Sequence, residues 1–71
     1  MQDATSKALT VNGEPTETAT ATLAALVESL GFAESAVATA HNGAFVPRGR
    51  RSATELTAGD RVEIVAPRQG G

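Results

Sequence analysis

Two Asn-Gly dipeptides, Asn12-Gly13 and Asn42-Gly43, restrict the folds open to this chain more than any other feature. Both residue types tolerate the positive φ angles of a type I′ turn, so Asn-Gly between extended segments is the strongest short-range hairpin signal. The first pair follows Lys7-Ala8-Leu9-Thr10-Val11, where Leu9 and Val11 fall on one side, and precedes a return strand over 14–19. Pro15 has no N–H to give a ladder, which places that return strand at an edge. The second pair separates a strand over 36–41 from a short one, Ala44-Phe45-Val46, stopped by Pro47.

Between the hairpins lies the one clear helix. Leu23, Leu26, Val27 and Leu30 follow the i, i+3, i+4, i+7 spacing of a single apolar face, with Thr22 as N-cap and Gly31 just past the C-terminus. The stripe is expected to be buried: read instead as an exposed partner groove, it would leave the domain with no other helix from which to build a core. Ser52-Ala53-Thr54-Glu55 fits a capping box and predicts one short helical turn that pins Leu56 into the core. Gly59-Asp60 then turns the chain into a last strand, Arg61-Val62-Glu63-Ile64-Val65-Ala66, with Val62 and Ile64 on one face and Val65 on the other. The sum is an α+β domain, a mixed sheet of four to five strands with one helix packed on one face.

Size and charge narrow the function. A chain of 71 residues is one domain with room for a scaffold and little else. A net charge of −2 argues against a nucleic-acid binder that works by neutralising phosphates, and two aromatics, Phe32 and Phe45, make no platform for stacked bases. Absence of cysteine removes a disulfide framework, a thiolate nucleophile and a thiolate zinc site together. No apolar run is long enough to span a membrane and the start lacks a signal-peptide pattern, so a cytoplasmic location is expected. The acids Asp3, Glu14, Glu17, Glu28, Glu34, Glu55, Asp60 and Glu63 form no tight pair in sequence, and no metal site is expected from them.

What remains is the C-terminal run. Met1-Gln2-Asp3-Ala4-Thr5-Ser6 reads as a loose leader, residues 7–66 as the domain, and Pro67-Arg68-Gln69-Gly70-Gly71 as a flexible tail. Two glycines without Cβ atoms let a backbone enter a slot too narrow for side chains. Fully extended, the five residues reach about 17 Å, enough to enter another protein's active site. An α-carboxylate there is ionised at neutral pH and a poor electrophile, so it has to be activated from outside, for example as an acyl-adenylate open to a thiol, persulfide or amine. With no cysteine, any sulfur the chain carried would sit on the Gly71 carbonyl as a thiocarboxylate. The plain alternative is that Gly-Gly is only a frayed end.

The order strand, Asn-Gly, strand, Leu-rich helix, strand, Asn-Gly, then Val46-Pro47-Arg48, Leu56, Gly59-Asp60, the Val62/Ile64 strand and Gly70-Gly71 resembles the ThiS family, the sulfur carriers of thiamine biosynthesis. The likeness runs from about Ala8 to Gly71. It implies a ubiquitin-like β-grasp fold whose first and last strands lie adjacent and parallel in mid-sheet. It also implies that the Gly71 carboxylate is adenylated by a ubiquitin-activating-like (ThiF-type) enzyme using ATP and magnesium. Sulfur from a donor such as a cysteine desulfurase would convert it to a thiocarboxylate, which is presented to thiazole synthase (ThiG type). On this view the chain is a protein co-substrate that binds no cofactor itself. Carriers for molybdopterin or cysteine synthesis, a ubiquitin-like modifier, and a non-covalent β-grasp regulatory domain share parts of the pattern; the short length and Val46-Pro47-Arg48 favour the thiamine branch.

With that likeness, Gly71 is the expected covalent carrier and Gly70 the tail's narrow entry. Arg48, Val65, Arg68 and Gln69 are candidate docking residues, Val65 as part of an apolar patch on the uncovered sheet face. Arg68 and Gln69 depart from relatives that carry smaller or more apolar residues there. Arg48, Arg50 and Arg51 read first as a solvated basic loop and second as a contact for an acidic partner. His41, where the family more often has an apolar residue, reads as a surface or edge side chain rather than a base or ligand.

Overall fold

The computed structural model describes residues 6–66. In chain order these form β1 (Lys7–Val11), β2 (Glu14–Thr18), α1 (Leu23–Ser29), a 3₁₀ turn at Glu34–Ala36, β3 (Ala38–His41), β4 (Ala44–Val46), a 3₁₀ helix at Arg48–Ala53 and β5 (Arg61–Val65). The five strands make one sheet in the order β2-β1-β5-β3-β4. β1 and β5 run parallel and every other pairing is antiparallel. This is the β-grasp arrangement, with the first and last strands side by side at its centre.

Both Asn-Gly pairs form the expected turns, with Asn12 at φ 54 and Asn42 at φ 51. Pro15 sits opposite Thr10 on the edge strand β2, where its missing N–H costs no second ladder. That strand ends at Thr18, short of the predicted residue 19. The Thr18 hydroxyl accepts from the Thr20 backbone N–H (3.1 Å), a local bond that turns the chain out of the ladder.

Helix α1 starts as predicted: Thr22 is extended and its hydroxyl accepts from Ala25 N–H at 3.2 Å. Leu23, Leu26 and Val27 are fully buried, but Leu30, expected in the same stripe, is 42% exposed. Gly31 (φ +86) closes the helix at the position expected, just past the C-terminus, with Leu30 as the C-cap. Its N–H donates to the Glu28 carbonyl (3.0 Å) and that of Phe32 to Val27 (3.2 Å), a Schellman pattern that leaves Leu30 at the cap, off the buried face.

Two further expectations change. The third strand begins at Ala38 rather than residue 36, because Glu34–Ala36 coil into the 3₁₀ turn. The capping box does not form either. The 3₁₀ helix begins at Arg48, capped by Pro47 with no side-chain bond, and Ser52 lies inside it. Glu55 instead bridges Thr22 in extended form, with Leu56 N–H donating to the Ala21 carbonyl (2.9 Å) and Leu23 N–H to that of Thr54 (2.9 Å). Leu56 is pinned in the core by strand-like pairing to the residues before α1.

The core joins Leu23, Leu26 and Val27 of the helix to Leu9, Val46, Val62 and Ile64 of the sheet, closed by Val37 and Leu56. The other face of the sheet carries no layer among the described residues.

Candidate functional site

Gly70, Gly71, Arg68 and Gln69 lie outside the described residues, as does most of the leader. What the structure places is the root from which residues 67–71 depart. That root is the end of β5, the middle strand of the sheet, paired with β1 on one side and β3 on the other. The alternation within β5 is as predicted: Val62 and Ile64 are buried, whereas Val65 is 57% exposed on the uncovered face.

Register identifies that residue's neighbours. Val65 lies opposite Ala38, and Ala40, two residues further along β3, lies opposite both Glu63 and Phe45. Directly paired residues point to the same face, so Val65, Ala38, Ala40, Glu63 and Phe45 share the open side of the sheet. Phe45 is 69% exposed, the most exposed of the large apolar side chains described. Sequence reasoning did not single it out. The signal was present: in Ala44-Phe45-Val46, stopped by Pro47, an inward Val46 forces Phe45 outward.

Arg48 is not part of this face. It borders a cavity of about 380 Å³ on the helix side, lined also by Ala24, Glu34, Gly49, Arg51 and Ser52. Its Nε lies 3.6 Å from Glu34 Oε1, with both side chains more than half exposed. An ion pair so exposed contributes little to stability.

The basic run is not uniformly solvated. Arg51 is 3% exposed, and its guanidinium is used on three sides. Nε donates to Thr39 Oγ1 (3.0 Å), Nη1 to the Glu34 carbonyl (2.9 Å) and Nη2 to the Val37 carbonyl (2.7 Å). Thr39 in turn donates to the Val46 carbonyl (2.8 Å). Arg51 thereby ties the 3₁₀ helix that carries it to the Glu34–Ala36 turn and to β3.

His41 is only partly exposed and does not lie on an edge strand. β3 is flanked by β5 and β4, and the Gly59-Asp60 turn delivers a carboxylate to it, with His41 Nε2 at 2.7 Å from Asp60 Oδ2. Asp60 also accepts from Thr57 N–H (2.8 Å) and Asn42 Nδ2 (3.1 Å). Burial alone would raise its pKa; these hydrogen bonds and the charge on His41 outweigh it and hold the carboxyl below its ordinary value. Among the described residues no group of three or more His, Cys, Asp or Glu side chains could hold a metal, and no helix is long and apolar enough to cross a membrane.

The candidate site therefore combines the end of β5, paired there with β3, an exposed sheet face that carries Val65 and Phe45, and the Gly-Gly sequence that follows. The model of the ThiS family matches residues 9–71. The crystal structure of the thiamine biosynthesis protein ThiS from Geobacter metallireducens is similar to this chain at 32% identity and a TM-score of 0.75, over 90% of this chain and 99% of that one. No curated protein matches. A family match over almost its full length, with a solved relative of the same architecture, means that this chain belongs to the ThiS family.

Proposed function

We propose that this chain is a sulfur carrier of thiamine biosynthesis, with the Gly71 carboxyl as the group that carries sulfur. The observation that supports this most is that the family match runs through Gly70-Gly71 to the last residue, so the tail is part of the likeness. A further support is that the similar solved structure is a thiamine biosynthesis protein.

The chemistry follows from what the tail offers. An ionised carboxylate oxygen attacks the α-phosphorus of ATP in a ThiF-type enzyme that holds the magnesium, and pyrophosphate leaves. The terminal sulfur of a persulfide, supplied through a cysteine desulfurase, attacks the carbonyl carbon and expels AMP. A thiol then attacks the outer sulfur of the acyl disulfide, so the electron pair of the S–S bond leaves on the Gly71 thiocarboxylate and the thiol ends in a disulfide. Thiazole synthase takes the sulfur and returns the carboxylate. Throughout, the chain is co-substrate and not catalyst, and it binds no cofactor of its own.

Each residue type suits its place in this reading. Gly70 and Gly71 thread the narrow slot, and Arg68 and Gln69 occupy its mouth. Val65 and Phe45 on the open sheet face dock the activating enzyme, a role supported by their exposure near the tail's root. Arg48, across the molecule beside Glu34, is left as a surface charge.

The reading is tested by giving thiocarboxylated protein to thiazole synthase with the rest of its substrates. The expected result is thiazole formed in amounts equal to the thiocarboxylate consumed. A thiocarboxylate that persists while no thiazole forms would overturn the thiamine assignment.

A further inference from the structure

β1 and β5 run parallel, but β1 stops first. Val11 lies opposite Val62, after which the chain turns back at Asn12, while β5 continues through Val65. Ile64 would therefore face the β1 side with an unpaired N–H and an unpaired carbonyl. Both are taken by one side chain. Ile64 N–H donates to Asn12 Oδ1 at 2.9 Å, and Asn12 Nδ2 donates to the Ile64 carbonyl at 3.0 Å. The Asn12 backbone N–H also donates to the Val62 carbonyl at 2.8 Å. A side-chain carboxamide has the same acceptor and donor as a peptide group, so Asn12 prolongs the partner strand by one rung after its backbone has left.

We infer that Asn12 is a positioning residue for the tail: by clamping Ile64 it fixes the root from which residues 67–71 reach the activating enzyme. This rests on the carrier reading. The other side of β5 is held at the same level by β3, where successive residues alternate in direction and Val65 lies opposite Ala38. With both sides held, the ordered strand extends to the root of the tail. Without the carboxamide the β1 side opens back to Val62, and each further residue that has to be ordered on docking lowers affinity by about tenfold. The demand on residue 12 is narrow. Its φ of 54 suits Asn, Asp or Gly, and of these only Asn both accepts from and donates to Ile64.

Asn42 supplies an internal control. Its Oδ1 accepts from Arg61 N–H (2.8 Å) and its backbone N–H donates to the Arg61 carbonyl (2.7 Å), a related Asn-turn clamp at the opposite end of β5, away from the tail. The test compares full-length wild type, Asn12→Gly, Asn12→Asp and Asn42→Gly by amide exchange and by steady-state activation with a ThiF-type enzyme, ATP and magnesium. Asn12→Gly keeps the turn, and exchange at Ile64 should quicken by about tenfold or more relative to Val27. KM for activation should rise by about three- to tenfold with kcat nearly unchanged. Asn12→Asp, which keeps the acceptor and loses the donor, should fall between. Asn42→Gly should weaken the fold and leave KM as in wild type. Unchanged exchange at Ile64 or unchanged KM in Asn12→Gly, or an equal rise in KM in Asn42→Gly, would overturn the inference. If wild type were not activated at all, the carrier reading would fail together with the positioning role, while exchange at Ile64 would still report whether the clamp exists.

Discussion

His41 Nε2 lies 2.7 Å from Asp60 Oδ2, joining the end of β3 to the turn that starts β5 across 19 positions of sequence. Asp60 is buried, yet its hydrogen bonds to His41, Thr57 and Asn42 hold its pKa below the ordinary value. A carboxyl with a lower pKa folded than unfolded stabilises the fold when ionised. That contribution is complete above about pH 5 and is lost as pH falls below the unfolded value of about 3.9 towards the folded one. Urea midpoints of wild type and Asp60→Asn should accordingly differ most near pH 6 and converge towards pH 3. A gap that is constant, or that widens in acid, would count against this pairing.

Leu26 and Leu30 separate the stripe seen in sequence from the face buried in the fold. Leu26 is fully buried, and Leu26→Ala should cost about 2 to 5 kcal/mol, much of the stability of a chain this small. Leu30, at 42% exposure, should lose less than about 1 kcal/mol on the same change. Equilibrium urea unfolding measures both, and similar losses at the two positions would contradict the helix end described here.

Arg51 and Arg48 stand three residues apart and should behave oppositely. Arg51→Met removes the donors for two backbone carbonyls and a threonine hydroxyl, with an expected loss of about 2 to 4 kcal/mol. Arg48→Ala breaks only an exposed ion pair and should change stability by less than about 1 kcal/mol. Thermal and urea unfolding decide between them.

These contrasts mark what could be read along the chain. The Asn-Gly turns, the helix with its Thr22 cap and the inward pair Val62 and Ile64 depend on neighbours in sequence, and they were legible there. Arg51 was not, because its burial depends on carbonyls 14 and 17 positions away. The Asn12 clamp was hidden for the same reason, since its partner Ile64 is 52 positions distant. His41 was misplaced because no local pattern shows that β3 enters the sheet between two strands. Phe45 could have been found by carrying strand alternation through a three-residue strand.

On the open face, Val65→Asp and Phe45→Ser should leave the urea midpoint close to that of wild type while raising KM for the activating enzyme. Both side chains are mostly exposed, and surface changes of this kind shift stability by about 0.5 kcal/mol or less. Gly70→Ala should slow activation and leave the fold unaffected, because a Cβ enters where only backbone fits. Unaltered activation kinetics in all three variants would remove the docking face and the slot together.

The carrier claim is tested most directly by the intact mass of the protein after incubation with ATP, magnesium, a ThiF-type enzyme and a persulfide source. Exchange of one Gly71 carboxylate oxygen for sulfur predicts a gain of about 16 Da in wild type and none once Gly71 is deleted. An unchanged mass in wild type, or the same gain without Gly71, would contradict the account.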